Sequence, residues 1–165
     1  VKSKILLSIL LLMANVQTLA AADASARKFE LTKLSDQTAL SSSALAGTGK
    51  LILFWASWCH SCSGSMLELE KKMAAKSFKE QVVLVTTDEE RESALAYFKK
   101  KKEAAHLMPQ VYVDKGGEWA SSLSVSSIPS IALFDKKGAL VKKWDGKLNI
   151  DEILATAKAT LETSK

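Results

Sequence analysis

The chain of 165 residues has only two cysteines, Cys59 and Cys62, and they stand three positions apart in Trp58-Cys59-His60-Ser61-Cys62. A thiolate is the attacking species in disulfide exchange, and a second thiol about one helical turn away can resolve the mixed disulfide that forms. Such a pair cycles between dithiol and disulfide. The residues after it, Met66-Leu67-Glu68-Leu69-Glu70-Lys71-Lys72-Met73, predict a helix that starts near Cys59. A cysteine at that position faces unpaired backbone N–H groups and the positive end of the helix dipole, both of which favour its thiolate. Cys59 is therefore expected as the nucleophile and Cys62 as the resolving thiol. His60 lies between them. Protonated beside Cys59, its imidazole would favour the thiolate further and tune the thiol pKa; turned to solvent, it would be a spacer.

Two other uses of the pair are weighed against this one. A disulfide closing four residues contributes only about 2 kcal/mol by loop entropy, so a bridge placed for stability would span a longer loop. A structural zinc site wants four ligands, and besides Cys59, Cys62 and His60 the chain offers only one more histidine, His106. No resident metal or other cofactor is expected. Thiolate ligation of copper by the pair stays open as an alternative.

The elements that must position the cysteines are legible around them. Leu51-Ile52-Leu53-Phe54-Trp55 is an unbroken apolar run, the pattern of a strand covered on both faces, and Ala56-Ser57-Trp58 turns the chain into the helix. Val82-Val83-Leu84-Val85 is a second such run, followed by Thr86-Thr87-Asp88 and a charged helical stretch from Glu89 to about Lys102. Strand, helix, strand, helix implies a parallel core with helices packed on it. Before that core, Phe29 to Leu34 alternates and is followed by a turn at Ser35-Asp36-Gln37, which predicts a hairpin. After it come a short extended piece over 110–114, a short helix over 118–123, and an antiparallel pair at 130–134 and 139–144 turning at Asp135-Lys136-Lys137-Gly138. Asn149 is expected to cap a last helix from Ile150 to about Glu162, with Glu152 completing a capping box. His106 falls in a predicted loop with no partner spacing that suggests catalysis.

Residues 1–22 carry Lys2 and Lys4, an apolar run from Ile5 to Ala14, and a small-residue end at Ala20-Ala21-Ala22. This is the pattern of a cleaved secretory signal peptide, and Asn15 and Gln17 stop the run well short of a membrane span. The expected domains are a signal peptide over 1–22 and one α/β domain over 23–165. The whole chain has a net charge of +5; without residues 1–22 it has 21 Lys and Arg against 18 Asp and Glu, or +3. So mild an excess does not indicate a nucleic-acid binder, and no nucleic-acid partner is expected. The remaining length suits a single core that needs no disulfide staples.

Phe54-Trp55-Ala56-Ser57-Trp58-Cys59-His60-Ser61-Cys62, with Val125-Ser126-Ser127-Ile128-Pro129-Ser130 and Phe134-Asp135-Lys136-Lys137-Gly138 downstream, resembles the thioredoxin superfamily. More narrowly it is similar to the secreted TlpA/ResA-like thiol-disulfide oxidoreductases of bacteria. The resemblance implies a thioredoxin-like fold: a central mixed sheet with helices on both faces, an N-terminal β-hairpin, and a family-type insertion before a cis-proline loop. It implies a cis bond between Ile128 and Pro129, with Ile128 presenting backbone groups to an incoming cysteine peptide as an added strand. It also implies that Trp58 shields Cys59, that Trp55 is a core or near-site residue, and that the protein is a periplasmic monomer.

The chain departs from that pattern at three places. Leu53 stands where thioredoxin has a buried acid, and Ser65 and Leu67 stand where TlpA-like proteins usually have Glu and Pro. No buried carboxylate to help deprotonate Cys62 is evident from the sequence, and the helix after Cys62 is expected to run without a proline kink. The first functional reading is a dithiol reductant of disulfides in partner proteins, supplied with electrons by a membrane donor. The second, of a different class, is a copper-binding or copper-site assembly protein on the same fold.

Overall fold

The computed structural model describes residues 29–45, 47, 49–74 and 82–163. The signal peptide expected over 1–22 lies outside these residues. Among the described residues seven strands form one sheet: β1 (Glu30–Lys33), β2 (Ala39–Ser41), β3 (Lys50–Trp55), β4 (Val82–Thr86), β5 (Val111–Val113), β6 (Ser130–Phe134) and β7 (Leu140–Asp145). Four α-helices accompany them there: α1 (His60–Ala74), α2 (Arg91–Lys100), α3 (Glu118–Ser122) and α4 (Ile150–Thr163). The strand order is β2-β1-β5-β4-β3-β6-β7. The centre, β5-β4-β3, is parallel, and β1 and β6 flank it antiparallel.

β3 sits inside the sheet, between β4 and β6, because both of its faces are apolar and can be covered on each side. Leu51, Leu53 and Trp55 face one side, where Cys62, Met66, Leu69 and Met73 of α1 recur every three or four residues and pack with Tyr97 and Phe98 of α2 and Ile150, Ile153, Leu154 and Ala157 of α4. Trp55 meets Tyr97 and Phe98 at ring-centroid distances of 5.0 and 5.4 Å, which fixes the strand end that leads into the cysteines. Ile52 and Phe54 face the other side, against Trp119, Ala120 and Leu123. Each of these fully buried large side chains contributes about 1.5–3 kcal/mol against exposure. The helices are unevenly shared: three cover the first face, whereas the five-residue α3 covers the second with help from Phe29 and Leu40 of the hairpin segment.

Three local expectations change. His106 lies in a 3-10 helix over Lys102–Gln110 rather than a loop, with its Nε2 3.7 Å from Glu70 Oε1. α2 is shorter than its charged stretch, because Glu90 is extended and Lys101 leaves helical geometry. The capping box on α4 is half formed: Glu152 N–H donates to Asn149 Oδ1 at 3.3 Å, but the Glu152 carboxylate accepts from Trp144 Nε1 at 3.1 Å and Lys142 Nζ at 3.2 Å. Those donors, the indole first, lower the Glu152 pKa. Gly49, just before β3, has φ +69°, and a Cβ there would stand 2.1 Å from Leu161 Cδ2, so the chain enters β3 where only glycine fits.

Candidate active site

β3 and β4 run parallel, with Trp55 paired to Thr86, so their C-terminal ends release two loops side by side. In an open parallel sheet this edge is where ligands are met. The first loop, Ala56 to Trp58, carries the cysteines into α1. Cys59 precedes the first residue of the helix, its N–H donating to Ala56 O at 3.1 Å, and Cys62 sits within the first turn. The two sulfurs form a disulfide with an S–S distance of 2.03 Å. Both belong to the buried cluster of Leu53, Trp55 and Met66, but Cys59 keeps 8% exposure whereas Cys62 has none. Ser61 Oγ lies 3.7 Å from Cys59 Sγ.

Around Cys59 the chain exposes what a folded core would hide. Trp58 is 67% exposed, and its ring helps line an open groove of roughly 310 Å³ with Thr87, Ala120, Ser121, Val125 and Ile128. Trp58 and Ile128, 70 positions apart in sequence, therefore line the same surface. Ile128 also packs against the buried cluster that holds both cysteines, Pro129 is buried behind it, and the bond between them is cis. His60 is exposed at the first position of α1. Leu53 is fully buried on the cysteine side of the sheet, as an apolar residue must be at that position.

The far side of the groove is built on Asp114. Its buried carboxylate accepts from Trp119 N–H at 3.1 Å and Ala120 N–H at 2.8 Å, tying down the start of α3. Burial raises its pKa, outweighing the backbone hydrogen bonds from Ala120, Trp119 and Glu118 that act the other way. The sequence reading did not find this residue, and it also missed Asp88. The second loop places the Asp88 carboxylate, 3% exposed, against Ser57 in the cysteine loop. A buried acid is thus present beside the site after all. The signal for it was its place two residues past the end of β4, at the active edge of the sheet. Among the described residues no group of three or more His, Cys, Asp or Glu side chains converges as a metal site.

A family model for Redoxin matches residues 21–160. The chain belongs to the Redoxin family. This redoxin is similar in structure to the exposed lipoprotein thioredoxin of Streptococcus pneumoniae, at 29% identity and a TM-score of 0.65 over 81% of this chain and 99% of that one. It is also similar to a putative thiol:disulfide interchange protein DsbE of Chlorobium tepidum, at 25% identity and a TM-score of 0.66 over 82% and 94% of the two chains. A secreted disulfide oxidoreductase of Mycobacterium tuberculosis, homologous to Escherichia coli DsbE, shares the fold at 20% identity and a TM-score of 0.61 over 79% and 95%. The redoxin is a thioredoxin-superfamily thiol-disulfide oxidoreductase, with Cys59 and Cys62 as its CxxC pair.

Proposed function

We propose that this redoxin is a TlpA/ResA-like reductant of disulfides in partner proteins, working as a monomer in the bacterial periplasm after residues 1–22 are removed. The observation that carries the reading is the asymmetry of the pair: Cys59 keeps a small exposure and follows the exposed Trp58 that lines an open groove, whereas Cys62 has none. A partner sulfur can reach the first and not the second. The leader-like N-terminus supports export, as do the words "exposed" and "secreted" that describe two of the structural relatives.

In the reduced protein the Cys59 thiolate, favoured by the start of α1, attacks one sulfur of a partner disulfide. A bond forms between Cys59 and the partner, the partner's own S–S bond breaks, and its second sulfur leaves as a thiolate that takes a proton from water. Ile128 offers main-chain groups to the partner segment as it lies in the groove, and Pro129 holds that loop against the cysteines. Cys62 then gives up its proton to water and attacks Cys59 Sγ, which restores the disulfide seen here and releases the partner's first sulfur as a thiolate that takes a proton back from water. Two electrons have passed to the partner, and a membrane-bound dithiol donor returns them. Trp58 covers Cys59 between turnovers.

Equilibration of the Cys59/Cys62 pair with a glutathione redox series tests the direction. A potential near that of thioredoxin, about −270 mV, supports the reductant; one near about −120 mV makes the protein an oxidant and overturns the proposal.

A further inference from the structure

The cysteine loop does not hold its shape alone. Asp88 lies two residues past the end of β4, and its carboxylate is almost wholly buried, with no cation among its hydrogen-bond partners in the described residues. Ser57 N–H is shared between its two oxygens, at 2.9 Å to Oδ2 and 3.1 Å to Oδ1. Ser57 Oγ donates to Oδ1 at 2.8 Å, and Thr86 Oγ1 donates to Oδ2 at 2.7 Å. Thr86 Oγ1 in turn accepts from Asp88 N–H at 3.2 Å, and the neighbouring Thr87 N–H donates to Trp55 O at 2.9 Å. The β4 loop therefore grips the turn at its entry, Trp55, and at its middle, Ser57. Burying a carboxylate is costly, and hydrogen bonds to charged groups are the strong ones, so the arrangement is stable only with these donors in place.

We propose that Asp88 is a positioning residue for thiol-disulfide exchange: by fixing Ser57 it sets where Trp58 and Cys59 stand relative to an incoming disulfide. Attack on a disulfide needs the thiolate in line with the bond that breaks, and a displacement of about 1 Å at a reacting centre can cost about a hundredfold in rate. Asp88 acts through Ser57 and does not itself touch the partner. Its oxygens are occupied by these donors, so its part is to hold geometry and not to move a proton for Cys62. The inference rests on Cys59 being the nucleophile.

The test uses reduced Cys62→Ser protein, in which Cys59 alone reacts and each event is a single step. The probes are insulin, whose disulfides must be presented on a folded chain, and the small disulfide 5,5′-dithiobis(2-nitrobenzoate). Asp88→Ala is expected to slow mixed-disulfide formation with insulin about tenfold or more and to slow the small probe less, because the small disulfide can follow a displaced sulfur. Asp88→Asn keeps an oxygen for Ser57 and is expected to stay within about threefold of its parent. That variant separates placement from charge: an Asn variant as slow as Ala overturns the clamp. Ser57→Ala removes one of the bonds and leaves the carboxylate, and an intermediate slowing is expected of it, readable even where Asp88→Ala does not fold. Insulin rates unchanged in folded Asp88→Ala or in Ser57→Ala, beside a reactive parent, also overturn the clamp. A Cys62→Ser parent that reacts with neither probe instead removes Cys59 as the nucleophile, and the proposal with it.

Discussion

Phe29 lies against Trp119 with ring centroids 3.9 Å apart and planes 27° from parallel, so the residue that precedes β1 supports the helix on the far side of the active-site groove. Trp119 passes the contact inward, meeting Phe54 of β3 edge-on at 5.3 Å and Phe134 of β6 at 5.9 Å. The N-terminal hairpin is thus joined to the groove through one buried indole. It also compensates for the thin cover on that face of the sheet, where α3 has only five residues.

Phe29→Ala should therefore lower the free energy of unfolding by about 1–2 kcal/mol, the sum of a lost stacked pair and part of a buried aromatic area. Urea unfolding followed by tryptophan fluorescence measures it, and Phe29→Leu should recover part of the loss by refilling the space. A change below about 0.5 kcal/mol for Phe29→Ala would mean that the stack adds nothing to the fold.

Cys62→Ser should accumulate a mixed disulfide between Cys59 and natural partners, since attack is retained and resolution removed. Non-reducing gels of cells expressing each variant report it. Better trapping by Cys59→Ser would reverse the assignment of the two sulfurs, despite the burial of Cys62.

How much of this was legible in the sequence depended on the range of the interaction. The unbroken run Leu51 to Trp55 announced a strand covered on both faces, and the Trp-Cys-x-x-Cys spacing announced the chemistry, because both are local patterns set by backbone periodicity. The hairpin, the second parallel strand and the closing antiparallel pair followed in the same way. Asp88 and Asp114 did not, because a carboxylate in a polar stretch reads as solvated until the fold shows its donors: Ser57, 31 positions away, for one, and the start of α3 for the other. Glu152 shows the converse. Its spacing from Asn149 was right for a reciprocal cap, but Trp144 and Lys142 on β7 compete for its carboxylate and win it.

The raised pKa of Asp114 has a signed consequence. Between the ordinary carboxyl value of 3.8 and its higher folded value, the folded state holds more proton than the unfolded one, so stability falls as pH rises through that window and then levels off. Asp114→Asn removes this titration while keeping an acceptor for the start of α3. The melting temperature of the variant relative to the parent should therefore increase as pH is raised from about 3.5 to 7. A difference that is flat, or that shrinks with rising pH, would show that Asp114 is not held as the buried, costly anion described here.

His60 offers the last test, because it is the exposed first residue of α1 and the direct neighbour of Cys59. A cationic imidazole there adds to the helix dipole in stabilising the Cys59 thiolate, which exists only in the reduced protein. Stabilising the reduced form makes the disulfide more oxidising. One pKa unit of such stabilisation is about 1.4 kcal/mol, or about 30 mV for a two-electron couple. His60→Gln removes any charge there without constraining the backbone, so it should lower the reduction potential by a few tens of millivolts if that charge acts on Cys59. The difference should shrink in high salt, since His60 lies in solvent. Equal potentials for parent and variant at low and high salt alike would leave His60 as a spacer between the two cysteines, with the helix dipole alone favouring the thiolate.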